Sequence, residues 1–401
     1  MRLRTLCIIV LATVVAAGLH AAPRRRVIVA PGVPAAYADL YAQLSAELTV
    51  AEAQVAPLQP QLEPQPIYAA ELLPANGNRG TDLLQPTTIY GVSAYLDALQ
   101  GMGVRGVVFA IGYPLLLDRF PNSAQYLDFY RQVMSELRKR GMTVTIESSV
   151  VFANSAFSTI TWDYSKTTFP QFLQDRHEMA MKIVTQLAPD YLDLGAEPDT
   201  EAKLTGFAQL AVPAVWAQSI GTIIQGINRG STRIGTGVGT WTSPSFVDAE
   251  CAQPIDFIAL HIYPVDASSI ATAFQAAATA RAHGKPIIID EAWLFKMRRG
   301  ESTSIADDTA IFGRDAFSFF AQLDQQFLEF LDDFARVEGV SFISPFWSTY
   351  FFSYIPYDAA TGALPYAEIV KQVNSAASQN IVNHQYSATG LYYRSLAAGH
   401  R

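Results

Sequence analysis

The chain has 401 residues, half of them hydrophobic and only 16% charged, with a formal net charge of −8. That much apolar surface can fill the core of one large domain or two medium ones, and the acidic balance argues against nucleic acid as a partner. Cys7 lies in an apolar N-terminal run, so Cys251 stands alone in the remaining chain; this excludes an intramolecular disulfide and a cysteine-built metal site there, and six scattered histidines show no ligand spacing.

Arg2 and Arg4 precede "LCIIVLATVVAAGL", and small residues follow from Ala16 to Ala22. A basic start, a short apolar run and a small-residue stretch predict an export signal over residues 1–22 and a secreted or periplasmic protein. Arg24 to Arg26 then mark a processed junction. The apolar run is too short for a comfortable membrane span, and no later segment is long enough, so no integral membrane segment is expected after cleavage. Residues 23–65 form an arm. Its first part, "AAYADLYAQLSAEL", places Tyr37, Leu40, Tyr41, Leu44 and Leu48 on one helical stripe. The proline-rich "PLQPQLEPQP" after it should be extended. One helix cannot bury its own apolar face, so the arm is expected to lie on the main body.

From residue 66 short runs rich in Val, Ile and Phe alternate with helical patterns. The predicted strands are "PIYAAELL" from 66, "GVVFAIGYP" from 106, "MTVTIESS" from 142 and "YLDLGAE" from 191, then "RIGTGVGTW" from 233, "DFIALHIYP" from 256, "PIIIDEAW" from 286 and "VSFISPFWS" from 340. Helices are read in "VSAYLDALQGMG", "AQYLDFYRQVMSELRKRG", "FLQDRHEMAMKIVTQLAP" and "DQQFLEFLDDFARVEG". Several end at glycine or proline just before the next strand. Continuous apolar strands separated by helices indicate a parallel sheet covered on both faces. Eight units predict an α/β fold, a (β/α)8 TIM barrel over residues 66–401, as a single catalytic domain. An open doubly wound sheet is the competing fold, but no G-x-G-x-x-G follows any strand. The loop after the third strand, "VVFANSAFSTITWDYSKTTF", is long and aromatic and falls on the face where barrel enzymes carry their chemistry.

In such a barrel the C-terminal ends of the strands converge. Reading those ends gives Tyr113, Glu147, Glu197, Trp241, His261, Tyr263, Glu291, Trp293 and Trp347. Glu197 closes the fourth strand and Glu291 the seventh, 94 residues apart; strands four and seven lie nearly opposite across a barrel mouth. Two facing carboxylates suit glycoside hydrolysis, in which one carboxyl protonates the leaving oxygen while an ionised one attacks the anomeric carbon or activates water. Each residue also has a structural reading. Glu197 and Asp199 fit the first turn of a helix that contains Pro198. Glu291 has Lys296 and Arg298 nearby as ion-pair candidates. Glu147 is the alternative carboxylate. His261 on an apolar strand fits a satisfied core histidine, Tyr113 and Tyr263 fit packing before proline, and the tryptophans fit either core or sugar stacking. Asp193 and Asp290 are read as structural hydrogen-bonding groups, and "STSIADDTA" as a surface loop or lid. "GTGVGTW" lacks the serine of a nucleophile elbow.

The motifs "GAEPDT", "LHIYP", "GKPIIIDEAW" and "PFWS", in that order, resemble those of the clan A glycoside hydrolases, retaining barrel glycosidases, over residues 66 to 390. The resemblance implies Glu197 as general acid/base, Glu291 as nucleophile, Tyr263 orienting Glu291, and Trp347 under the reacting sugar. It implies a β-linked carbohydrate substrate and no metal or organic cofactor. Ala196 stands where many members have asparagine, and no arginine ends the second strand. The alternatives are an inactive barrel that binds carbohydrate, for which Ala196 argues, and a metal-dependent deacetylase or amidohydrolase, which lacks its clustered ligands. Sugar identity, endo or exo action and oligomeric state are not encoded in these motifs.

Overall fold

The computed structural model describes residues 32–58, 65–264, 267–301 and 309–399. The predicted export signal, most of the proline-rich connector and most of the 302–310 loop therefore lie outside the described residues. Eight strands form one closed, all-parallel barrel in chain order: β1 (Ile67–Glu71), β2 (Gly106–Ala110), β3 (Thr143–Glu147), β4 (Tyr191–Asp193), β5 (Arg233–Gly239), β6 (Ile258–Ile262), β7 (Ile287–Ala292) and β8 (Phe342–Pro345). Every strand predicted from the sequence is present. The helical layer comprises α1 (Ala38–Val55), α2 (Thr88–Gly101), α3 (Ser123–Lys139), α4 (Phe169–Lys182), α5 (Pro198–Thr205), α6 (Pro213–Ile224), α7 (Ser245–Cys251), α8 (Ala267–Ala282), α9 (Thr309–Arg314), α10 (Ala321–Glu338), α11 (Tyr366–Val382) and α12 (Ala388–Ala397). None of the described helices is long and apolar enough to cross a membrane.

Alternation along the strands sends every second side chain into the barrel. The inward set at the lower levels is apolar: Ala69, Val108, Tyr191, Phe257, Ala259, Ile288 and Phe342 pack on one another. Tyr191 meets Phe257 and Phe342 with ring centroids 5.4 and 6.0 Å away, and the Arg233 guanidinium lies 4.4 Å over the Tyr191 ring. Beyond Arg233, β5 turns only Gly235, Gly237 and Gly239 to this face because its neighbours leave no room. A Cβ on Gly237 would sit 1.8 Å from the Ala259 carbonyl oxygen.

One level up, the same alternation gives Thr145, Asp193, His261, Asp290 and Ser344, all 0–1% exposed. The floor of the mouth is thus polar. In β7 the register slips: Ala259 pairs Ile288, but two residues later His261 pairs Glu291. The extra residue on β7 is a bulge, a device that re-aims side chains beside functional sites. It lets the adjacent Asp290 and Glu291 both address the barrel axis.

The arm helix α1 buries Leu40, Tyr41, Leu44, Leu48, Ala51 and Val55 and packs against α10 and α8. Just before it, Tyr37 nests among Phe317, Phe319, Phe320 and Tyr357.

Candidate active site

A cleft of about 840 Å³ opens at the C-terminal end of the barrel. Three strand-end glutamates line it, Glu147 from the end of β3, Glu197 just beyond β4 and Glu291 from β7, with Glu201 of α5 beside them; Glu71, at the end of β1, is buried outside that lining and accepts from Asn76 Nδ2 at 3.2 Å. Glu197 is placed by a sharp exit from β4. Gly195 adopts φ 120°, a region open to glycine, and Pro198 then starts α5 directly after Glu197. Both readings of Glu197 hold at once. It occupies the helix N-cap position, yet its side chain makes no cap bond and turns into the barrel.

His261 joins the predicted pair. Its Nδ1 lies 2.9 Å from Glu197 Oε1 and 3.5 Å from Glu291 Oε2, which caps the separation of those two oxygens at 6.4 Å. The Tyr263 hydroxyl donates to Glu291 Oε1. Glu291 makes no ion pair with Lys296 or Arg298. Lys296 is wholly buried between Asp315 and Asp324, at 2.5 and 2.6 Å, and Arg298 bonds Glu301.

The charges oppose one another. Burial pushes Glu291 up to about 8; His261 and Tyr263 pull it down, whereas Glu147 and Glu197 add to the rise. Burial likewise raises Glu71 well above the usual carboxylate range, with Glu291 and Glu147 reinforcing it. Glu147 is raised by burial, and Glu197 adds to this. Burial works against a charge on His261, but Glu291, Glu197 and Asp290 outweigh it and hold the imidazole well above its ordinary range. Each carboxylate repels the rest.

The floor beneath is equally strained. Asp193 Oδ1 accepts from the Gly195 amide at 3.1 Å. Its Oδ2, both oxygens of Asp290, His261 Nε2, and the hydroxyls of Thr145 and Ser344 are buried with no hydrogen-bond partner among the described residues. Asp290 is therefore not the satisfied structural group expected from the sequence. The bulge sets it inward, where His261 Nε2 lies 3.6 Å from its Oδ1, beyond hydrogen-bond distance. Two trios, Glu147–His261–Glu291 and Asp193–His261–Asp290, bring one ligand atom each within 4.8 Å of one another; either has the reach to surround a cation.

Of the predicted aromatics, Tyr263, Trp241 and Trp347 line the cleft. Trp241 Nε1 donates to Asp199 at 2.9 Å. Two predicted site residues do not reach it. Tyr113 lies beyond the end of β2, is fully buried, and donates its hydroxyl to Asp175 at 3.0 Å. Trp293 follows the bulged β7, packs on Tyr350 and Phe351, and donates to Asp315 at 3.2 Å. The long loop after β3 supplies Val150, Phe152, Ala156 and Phe157 to the wall, and Phe157 meets Phe312 and Tyr366.

Sequence reading passed over two residues. Glu71 is a strand-end acid like the other three, and the same rule applied to β1 finds it. Arg176 in α4 is 1% exposed; it pairs with Glu201 at 2.8 Å and donates to the backbone carbonyls of Ser148 and Leu194. It thereby ties together the chain segments leaving β3 and β4, which carry Glu147 and Glu197.

No family model matches the sequence, and no curated protein matches it either. Among solved structures, an exo-β-1,4-mannosidase from an Opitutaceae bacterium superposes with a TM-score of 0.54 at 17% identity, over 85% of this chain and 61% of that one. A GH5_18 protein from Bifidobacterium longum gives 0.52 at 12% identity, over 84% and 79%. A second structure of the GH5_18 protein, in complex with Manβ1-4GlcNAc, gives 0.51. This chain spans about three-fifths of the Opitutaceae mannosidase's length. The barrel fold that the motifs of clan A implied is the fold these structures share with it.

Proposed function

We propose that the protein is an exported glycoside hydrolase that cleaves β-linked oligo- or polysaccharides by a retaining double displacement, with Glu197 as acid/base and Glu291 as nucleophile. The observation that carries this reading is the meeting of Glu197 and Glu291, from β4 and β7, on one nitrogen of His261. Their oxygens lie closer than the roughly 6.5–9.5 Å carboxyl spacing of inverting enzymes. In the first step a Glu291 oxygen bonds to the anomeric carbon as the glycosidic bond breaks, and the Glu197 proton passes to the departing oxygen. In the second, water attacks the same carbon, Glu197 takes its proton, and the bond to Glu291 breaks. The Tyr263 hydroxyl favours the ionised form of Glu291 that this requires. Trp241 and Trp347 offer faces for sugar C–H groups. The names of the structural neighbours make β-mannosides the first substrates to try.

The test is a panel of β-mannans, β-glucans, galactans and xylans with wild type, Glu197→Ala and Glu291→Ala. Both variants should lose turnover while keeping the fold, and azide should restore rate to Glu197→Ala by replacing the attacking water. Full activity in either variant refutes the assignment. A competing reading, an inactive barrel that binds carbohydrate, is favoured by Ala196, which places no amide beside the sugar; it requires saccharide binding with no turnover at any protein concentration.

A further inference from the structure

The reaction proposed above uses two carboxylates, and the cleft lining adds a third, Glu147, with Glu71 buried nearby. Glu71 and Glu147 are 1% and 9% exposed and lie near Glu291 without serving either step. Among the described residues, no lysine or arginine forms an ion pair with Glu71, Glu147, Glu197 or Glu291; His261 is the one basic group that touches any of them. Arg176, the nearby buried guanidinium, is committed to Glu201 and to two backbone carbonyls. Arg79 in the outer wall donates to the Pro74 carbonyl at 2.8 Å. A separate observation points the same way. Directly below, Asp290 is 1% exposed with neither oxygen partnered, and Asp193 has one oxygen unpartnered. The barrel mouth thus gathers more carboxyl groups than its one basic group, His261, can pair. Charges in such a setting attract a cation far more strongly than they would in open water.

We propose that the sugar seated against Glu291 carries a protonated amine, so that the substrate is a β-linked hexosamine oligo- or polysaccharide with free amino groups. This rests on the glycosidase reading of the same site. An ammonium donates three hydrogen bonds and no acceptor, which suits a pocket of surplus carboxylate oxygens. Its charge also favours the ionised, attacking form of Glu291. A neutral hexose brings no charge to offset the repulsion among these carboxyl groups, and an N-acetylated one adds an acyl group without a charge.

The experiment compares 4-nitrophenyl β-glycosides of glucosamine, galactosamine, glucose, mannose and N-acetylglucosamine near pH 6.5, where the amine is charged. An amino sugar should exceed every neutral sugar by at least tenfold in kcat/KM. Raising the salt concentration should shrink that ratio, and Glu71→Gln and Glu147→Gln should each collapse it. Calorimetric titration of wild type with methyl β-glucosaminide, methyl β-galactosaminide and methyl β-glucoside provides the binding counterpart. If neutral glycosides are cleaved as fast as the amino sugars, this inference fails and the glycosidase reading stands. If nothing is cleaved, the glycosidase reading fails, and the titration alone decides the inference: a tenfold preference for an amine sustains it, and equal binding overturns it.

Discussion

Replacing Asp290 with asparagine reads out the charge held under the site. Asp290 is 1% exposed with neither oxygen partnered, and burial, opposed by His261 and reinforced by Glu147, moves its pKa from 3.8 to about 7. That rise corresponds to about 4 kcal/mol at 1.36 kcal/mol per pH unit. The sign follows from proton counts. Below about pH 4 the folded and unfolded chains both hold the proton, so ionisation costs nothing. Between about pH 4 and pH 7 the unfolded chain releases it and the folded chain keeps it, so stability falls as pH rises. Above pH 7 the whole penalty is present. Asparagine has no proton to lose, and any cost of its buried amide is independent of pH. Urea unfolding of wild type and Asp290→Asn at about pH 4.5, 6 and 8 should give a difference that grows by about 3 kcal/mol in the variant's favour, since about 1 kcal/mol is already present at the lowest pH. A difference that stays constant over that range would refute the view that burial keeps the proton on Asp290 in the folded chain.

Other consequences follow from the same contacts. Glu291 must be ionised to attack and is pushed up to about 8, so the rate should climb with pH towards that value; a profile that only falls above about pH 6 contradicts it. Tyr263→Phe removes a donor that favours ionised Glu291, so the rising limb should move further alkaline and kcat should drop by roughly 10–100-fold, as for a charge-assisted hydrogen bond; an unmoved limb with unchanged kcat argues against the contact. Lys296→Met strands two buried acids, Asp315 and Asp324, and should cost about 3–5 kcal/mol in denaturant melts, with most of it regained by adding Asp315→Asn and Asp324→Asn. Gly237→Ala, with its Cβ 1.8 Å from the Ala259 oxygen, should yield no folded protein, whereas Gly91→Ala, with nothing within 4 Å, should melt no lower than wild type.

The barrel was legible because its strands are covered on both sides and so appear as unbroken apolar runs such as "PIIID" and "DFIAL". Glu197 and Glu291 were legible because an acid at the end of such a run has few structural uses. Direction was harder to read than position. Whether a strand-end side chain enters the mouth depends on one residue of register, and the bulge in β7, which turns Asp290 and Glu291 inward, leaves no mark in the letters "IIIDEAW". Trp293, just past that bulge, turned into the helical layer for the same reason. Tyr113 lies past the end of β2, where alternation no longer governs direction. Arg176 sits in "LQDRHEMA", a stretch that reads as an ordinary amphipathic helix; only the fold reveals that it reaches across to the ends of β3 and β4.

The departures from the motif pattern form one set. Ala196, in place of asparagine, belongs to the apolar plug inside the barrel and is 1% exposed. The end of β2 carries no guanidinium, and Arg176 is turned away to brace backbone. The first two leave fewer hydrogen-bond donors where the proposed sugar would sit. Glu147 adds an acceptor there, with Glu71 buried close by. Beside Glu197 and Glu291, the donors Tyr263 and His261 are already engaged with them, while Trp347 Nε1 in the cleft lining has no partner among the described residues. On the amino-sugar proposal, the surplus carboxyl groups select a ligand that brings its own donors. A hexose hydroxyl brings one hydrogen per oxygen and an acceptor with it; an ammonium brings three hydrogens, no lone pair and a positive charge. The proposed preference for an amino sugar therefore draws on the same substitutions that separate this barrel from the pattern it resembles.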